Sequence, residues 1–104
     1  MSWQKIAKKQ DIPPGSGIAA ECAGQAVALF NVDGNFHAVQ GRCPHRGGPL
    51  GEGELQGKIV TCPWHAWSFD VCSGANVDNP SSKLICFPVQ VEGDDVLVET
   101  NVQS

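Results

Sequence analysis

Cysteine and histidine occur together in two places, Cys43-Pro44-His45 and Cys62-Pro63-Trp64-His65, and both read as loop rather than strand or helix. This set constrains the fold more than any propensity does. A chain that binds metal through it must bring two segments, separated by residues 46–61, to one point. The surroundings agree. Residues 41–57 (GRCPHRGGPLGEGELQG) hold six glycines and two prolines and no run of three apolar residues. Residues 73–83 (SGANVDNPSSK) are also poor in apolar side chains. A small β domain does not need loops this long merely to turn, and long Gly-rich loops on a rigid scaffold are where function usually sits. Proline after each cysteine stiffens its loop and removes one backbone donor. Gly41, Gly47, Gly48 and Gly51 would let backbone N–H groups approach whatever the thiolates hold.

The rest of the chain reads as all-β. Gln25 to Val32 (QAVALFNV) is an apolar run of strand formers, Asp33-Gly34 breaks it, and Asn35 to Val39 resumes an alternating pattern. Asp-Gly between two such runs predicts a hairpin, because its turn needs positive φ. Lys58 to Thr61 and Trp67 to Val71 predict two more strands, and Leu84 to Glu92 with Val96 to Thr100 a second hairpin across Gly93-Asp94-Asp95. Pro88 places its strand at an edge or a bulge. No helical periodicity is sustained. Short strands at intervals of roughly ten residues predict a small sandwich or barrel. At 104 residues the whole chain, 1–104, is expected to be one domain.

Charge narrows the partners. Seven basic against eleven acidic residues leave a net charge of −4, a surface that repels nucleic acid and anionic lipid. The start of the chain shows no apolar run resembling a signal peptide or membrane span, so a cytoplasmic protein is expected. Thiols are normally reduced there, so the five cysteines are read as metal ligands or core thiols before disulfides. Cys22, Cys72 and Cys86 carry no partner motif and are expected to be free, partly buried thiols.

Two metal centres fit two cysteines and two histidines. One Zn²⁺ would take all four tetrahedrally and staple the loops. A [2Fe–2S] cluster would take two cysteines on one iron and two histidines on the other. Spacing favours the cluster, since Cys-x-His is tight for chelating a single ion but easy when its two members bind different irons.

With these motifs the chain resembles the Rieske iron–sulfur proteins, specifically the soluble Rieske-type ferredoxins. Cys43, His45, Cys62 and His65, within CPHRGGPL and CPWHAWSFD, match the family's ligand pattern. The likeness extends to the Asp33-Gly34 hairpin, the loop around Asn79-Pro80 and LICFPVQVEGDDVLVE. It implies a two-part β sandwich or barrel with a small cluster-binding subdomain, about 41–72, made of both ligand loops. One Rieske-type [2Fe–2S] cluster per chain would be bound by Cys43, His45, Cys62 and His65. High-potential relatives have an extra cysteine in each loop and hydroxyl donors after the second motif. Here those positions are Gly48 and Trp64, and Trp67 and Phe69, so a low-potential member is expected.

The implied role is one-electron carriage from a flavin-dependent reductase to a terminal oxygenase or similar redox enzyme, not catalysis. The alternative is the small Rieske subunit of a nitrite-reductase-like complex; a third reading is a zinc-stapled interaction module. Oxygenase activity of its own is not expected, because only His37 remains outside the motif and a two-His, one-carboxylate iron site cannot be built. His37 itself reads as an ordinary surface or core histidine. Trp67 and Phe69 should pack the subdomain, and Trp64 either packs in the core or lies part-exposed near the site, shielding it or forming a docking surface. Arg42 and Arg46 are solvated charges or steer an acidic partner.

Overall fold

A computed structural model describes residues 3–22, 24–43, 48–63, 67–79 and 81–100. Among these described residues ten strands lie in three antiparallel sheets: β1 (Trp3–Lys8), β2 (Gly17–Cys22), β3 (Gln25–Val32), β4 (Asn35–Gln40), β5 (Glu54–Gln56), β6 (Ile59–Thr61), β7 (Ser68–Asp70), β8 (Cys86–Phe87), β9 (Val89–Glu92) and β10 (Asp95–Glu99). Among the described residues the only helical turns are two short 3-10 segments, Lys9–Asp11 and Leu50–Glu52. None of their helices is long and apolar enough to cross a membrane.

The middle sheet runs β2-β3-β4-β8, flanked by a sheet β1-β10-β9 and a sheet β5-β6-β7. Burial on both faces explains why β3 reads as an unbroken apolar run. Ala28 and Phe30 face a core shared with Val60, Phe69, Val71 and Leu50, whereas Val27 and Leu29 face a second core with Val96, Val98 and Ile12. A strand covered on both sides loses the alternation that a one-sided sheet shows. β4 divides likewise, Val39 facing the first core and Ala38 the second.

The hairpin at Asp33-Gly34 forms as the sequence predicts. Asp33 and Gly34 take φ of 52° and 93°, and Asn31 Oδ1 accepts the Gly34 N–H at 2.7 Å. Two positive φ values in succession give a turn whose twist matches that of the strands. Pro88 marks an edge, as expected, and does more. Phe87 pairs with Ala38 in the middle sheet and Val89 with Val98 in the outer one, so the chain changes sheets at Pro88. Three strands go beyond the sequence reading. β1 (WQKIAK) carries three polar residues in six, β2 (GIAAEC) has small residues at four of its six positions, and β5 is three residues inside the glycine-rich stretch. Pairing with β10, β3 and β6 makes them strands, and propensity alone does not.

Candidate functional site

Both cysteines of the two motifs are buried and belong to the first core: Cys43 is 1% exposed and Cys62 is 2% exposed. Each stands at the base of a loop, and the two bases are built alike. Arg42 bridges Pro49, and inside that bridge the Cys43 N–H donates to the Gly48 carbonyl at 2.8 Å. Thr61 pairs with Ser68, and inside that pair the Cys62 N–H donates to the Trp67 carbonyl at 2.7 Å. Both loops therefore span the same number of residues and close by the same hydrogen bond. His45 and His65 occupy these loops in the sequence, but they lie outside the described residues, as do Arg46 and Trp64.

Side chains tie the first loop to its surroundings. Gln40 Nε2 donates to the Arg42 carbonyl at 2.9 Å, and Gln40 Oε1 accepts the Ile85 N–H at 2.7 Å, joining the entry of the loop to the approach to β8. Two of the glycines have a packing use. A Cβ on Gly41 would lie 2.7 Å from the Val27 nitrogen, and one on Gly51 would lie 2.4 Å from the Ala19 nitrogen. These two glycines let the first loop lie flat on the backbones of β2 and β3; they are a packing device of the scaffold.

Beside the second loop, β7 gains a further neighbour. The Asp70 N–H donates to the Ala75 carbonyl, Phe69 bridges Asn76, and the Val77 N–H donates to the Ser68 carbonyl. Residues 75–77 thus run along β7 and arrive level with Ser68, at the end of the sheet where the Cys62 loop emerges. The chain then turns back. The Asn76 N–H donates to the Ser82 carbonyl, the Leu84 N–H to the Gly74 carbonyl, and Ala75 bridges Lys83. At the base of the Cys62 loop, Thr61 Oγ1 and Ser68 Oγ hydrogen-bond to one another at 3.1 Å. Phe69 is fully buried and Trp67 packs against the same core, their rings 6.2 Å apart, as the sequence predicts. Neither Gln40 nor Asn76 was singled out from the sequence. For Asn76 a signal existed: Asn-Val-Asp-Asn is rich in the residues that hydrogen-bond their own backbone.

The remaining cysteines are free thiols, as expected, but not all buried. Cys22 is in the second core, its Sγ 3.5 Å from Gln4 Oε1. Cys72 and Cys86 are exposed residues that share, with His37, a concavity of about 160 Å³. His37 Nε2 lies 3.5 Å from Cys72 Sγ, a hydrogen bond whose donor depends on the imidazole tautomer. Among the described residues no three His, Cys, Asp or Glu side chains are grouped to hold a metal.

The donor chemistry of the two loops fits an iron–sulfur centre. Two thiols enter from an apolar core at loop bases of equal length, and each loop carries one imidazole in its sequence. Thiolates bind iron as anions, and an apolar surround limits solvent access to what they hold.

Comparison with known proteins agrees. Residues 2–88 match the family model of the Rieske [2Fe-2S] domain. The chain is 38% identical over 101 residues to the biphenyl dioxygenase ferredoxin subunit of Pseudomonas sp. (strain KKS102), covering 95% of this chain and 93% of that one. Among solved structures it superposes on a chain of the complex of reduced oxygenase and oxidized ferredoxin in carbazole 1,9a-dioxygenase, with a TM-score of 0.84, 32% identity and coverage of 92% and 91%. A small subunit ascribed to an NADH-dependent nitrite reductase of Mycobacterium tuberculosis is also similar, with a TM-score of 0.84, 26% identity and 93% of each chain covered. By a match over most of its length and by its fold, the chain belongs to the Rieske [2Fe-2S] domain family.

Proposed function

We propose that this protein is a one-electron carrier, not itself an enzyme, that takes electrons from a flavin-dependent reductase and passes them to a terminal oxygenase. Cys43 and Cys62 would hold one iron of a [2Fe–2S] cluster and His45 and His65 the other, within a cluster-binding part spanning about 41–72. Such a centre supplies one-electron transfer, at a higher potential than an all-cysteine cluster because two neutral imidazoles replace two thiolates. The matched loop bases, each with a buried cysteine, carry this reading. Similarity to a dioxygenase ferredoxin subunit supports the choice of partners. A single zinc ion would leave the family resemblance without a use.

The residues around the loops favour a low potential. Trp67 and Phe69 replace hydroxyl-bearing positions, and the nearby hydroxyls of Thr61 and Ser68 bond to one another. A value toward the negative end of the family's roughly −150 to +300 mV is expected. A potential well above zero would contradict it. The absence of a membrane-crossing helix among the described residues and the acidic surface support a place in the cytoplasm.

The nitrite-reductase-like alternative rests on the Mycobacterium tuberculosis neighbour. One assay separates the two. The purified protein is added in catalytic amount to a flavin reductase, NADH and a Rieske oxygenase, with NADH-dependent oxygenation of an aromatic substrate followed. Product formation that depends on this chain supports the carrier; no stimulation, together with electron delivery to a nitrite reductase, overturns it.

A further inference from the structure

Three side chains with thiol or imidazole chemistry come together from separate segments beside β4. Cys86 pairs with Val39 across β8 and β4, so its side chain shares a face with Val39 and, two residues along the strand, with His37. Cys72 arrives from the turn that follows β7. That turn is closed by the Gly74 N–H to the Asp70 carbonyl at 2.6 Å and the Cys72 N–H to Asp70 Oδ1 at 2.8 Å. It lies against the other cysteine, since a Cβ on Gly74 would be 2.9 Å from Cys86 Sγ. Both exposed thiols thus line one concavity of about 160 Å³, with His37 Nε2 3.5 Å from Cys72 Sγ. None of the three belongs to the proposed cluster ligands.

We propose that Cys72 and Cys86 form an exchange site for low-molecular-weight disulfides of the glutathione type, in which Cys72 attacks first while His37 takes its proton, and whose product is a Cys72–Cys86 disulfide. A base is needed, because burial and the Asp70 carboxylate favour the neutral Cys72 thiol, with Lys58 acting the other way. His37 is the base in contact. In the first step the Cys72 sulfur bonds to one glutathione sulfur, the S–S bond of the reagent breaks, and the second glutathione leaves with the proton from His37. Cys86 then turns from the Leu84 carbonyl, 3.9 Å from its sulfur, and attacks the Cys72 sulfur. The remaining glutathione leaves with the Cys86 proton. Two protein thiols are oxidised and one small disulfide is reduced to two thiols. The link ties the end of β7 to β8, and so the sheet β5-β6-β7 to the middle sheet. Excess reduced glutathione reverses it.

The test uses the purified protein as isolated and does not depend on which residues hold the cluster. It is incubated with oxidised glutathione at neutral pH, quenched with acid, alkylated and peptide-mapped. Two thiols per chain are expected to disappear together as an internal Cys72–Cys86 link that dithiothreitol reverses. Cys22, buried in the second core, should remain a thiol. Cys86→Ser should stop at a stable glutathione adduct on Cys72. In the Cys86→Ser background, His37→Gln should form that adduct more slowly by about tenfold or more, as loss of a general base does. A stable adduct on Cys72 in the parent, a link between two chains, or no loss of either thiol would overturn the site. A rate unchanged by His37→Gln would overturn the role given to His37.

Discussion

At neutral pH a thiol reacts in proportion to its ionised fraction, and most of what surrounds Cys72 opposes ionisation. Burial of the sulfur pushes its pKa up, and the Asp70 carboxylate pushes it further, with only Lys58 acting the other way. Cys86 is raised for the same reasons, burial first and Asp70 second. Asp70 is held as the anion. Burial alone would raise its carboxyl, but the Cys72 and Ser73 N–H groups and the Lys58 ammonium, 3.3 Å away, leave it below the usual value. Cys72 should therefore alkylate with iodoacetamide more slowly at pH 8 than a free thiol, despite its exposure. Asp70→Asn should shift its rate profile to lower pH, since the repelling charge is gone and more thiolate forms at each pH. An unchanged profile would show that Asp70 does not act on Cys72. At this scale the sequence is informative where chemistry is rare: two cysteines and two histidines in paired motifs stand out by type alone. Asp70 is a near neighbour of Cys72 in the chain, but the approach of His37 and Cys86 could not be read, because it depends on how separate strands come together.

Among the elements, legibility follows local chemistry. The Asp33-Gly34 hairpin was readable because its turn needs residues that tolerate positive φ, and both are there. β5 was not, since Glu54–Gln56 has no pattern of its own and becomes a strand only by pairing with β6. The packing that fixes the site lies in such unremarked places. A Cβ on Gly53 would lie 2.2 Å from the Thr61 carbonyl oxygen and 3.1 Å from Val60 Cγ2. That carbonyl is one residue before Cys62, so Gly53 sets how closely the segment after the first ligand loop approaches the strand leading into the second. Gly53→Ala is expected to cost about 1–3 kcal/mol in urea unfolding, as overpacking does, and to lower the fraction of protein isolated with iron. Full stability and full iron content would show that the contact relaxes freely.

Viewed whole, the molecule has two cores on opposite faces of one sheet, and among the described residues only one of them contains the motif cysteines Cys43 and Cys62. The core facing β1-β10-β9 contains neither motif cysteine. The loops above the other core have little apolar surface of their own, so the metal should contribute much of their order. Chelation under reducing conditions is therefore expected to raise amide exchange over residues 41–72 while protection in β3, β9 and β10 persists. Uniform loss of protection would mean that the two cores fold as one unit. This two-sided layout was only half visible beforehand: the unbroken apolar run of β3 fitted a buried strand, but which face would hold the metal depended on where residues 41–57 folded back. The proposed centre is an asymmetric pair of irons, one on thiolates and one on imidazoles. Mössbauer spectroscopy of ⁵⁷Fe-labelled, oxidised protein tests it most directly. Two quadrupole doublets of equal area are expected; a single doublet, or no iron bound with zinc in its place, would contradict it.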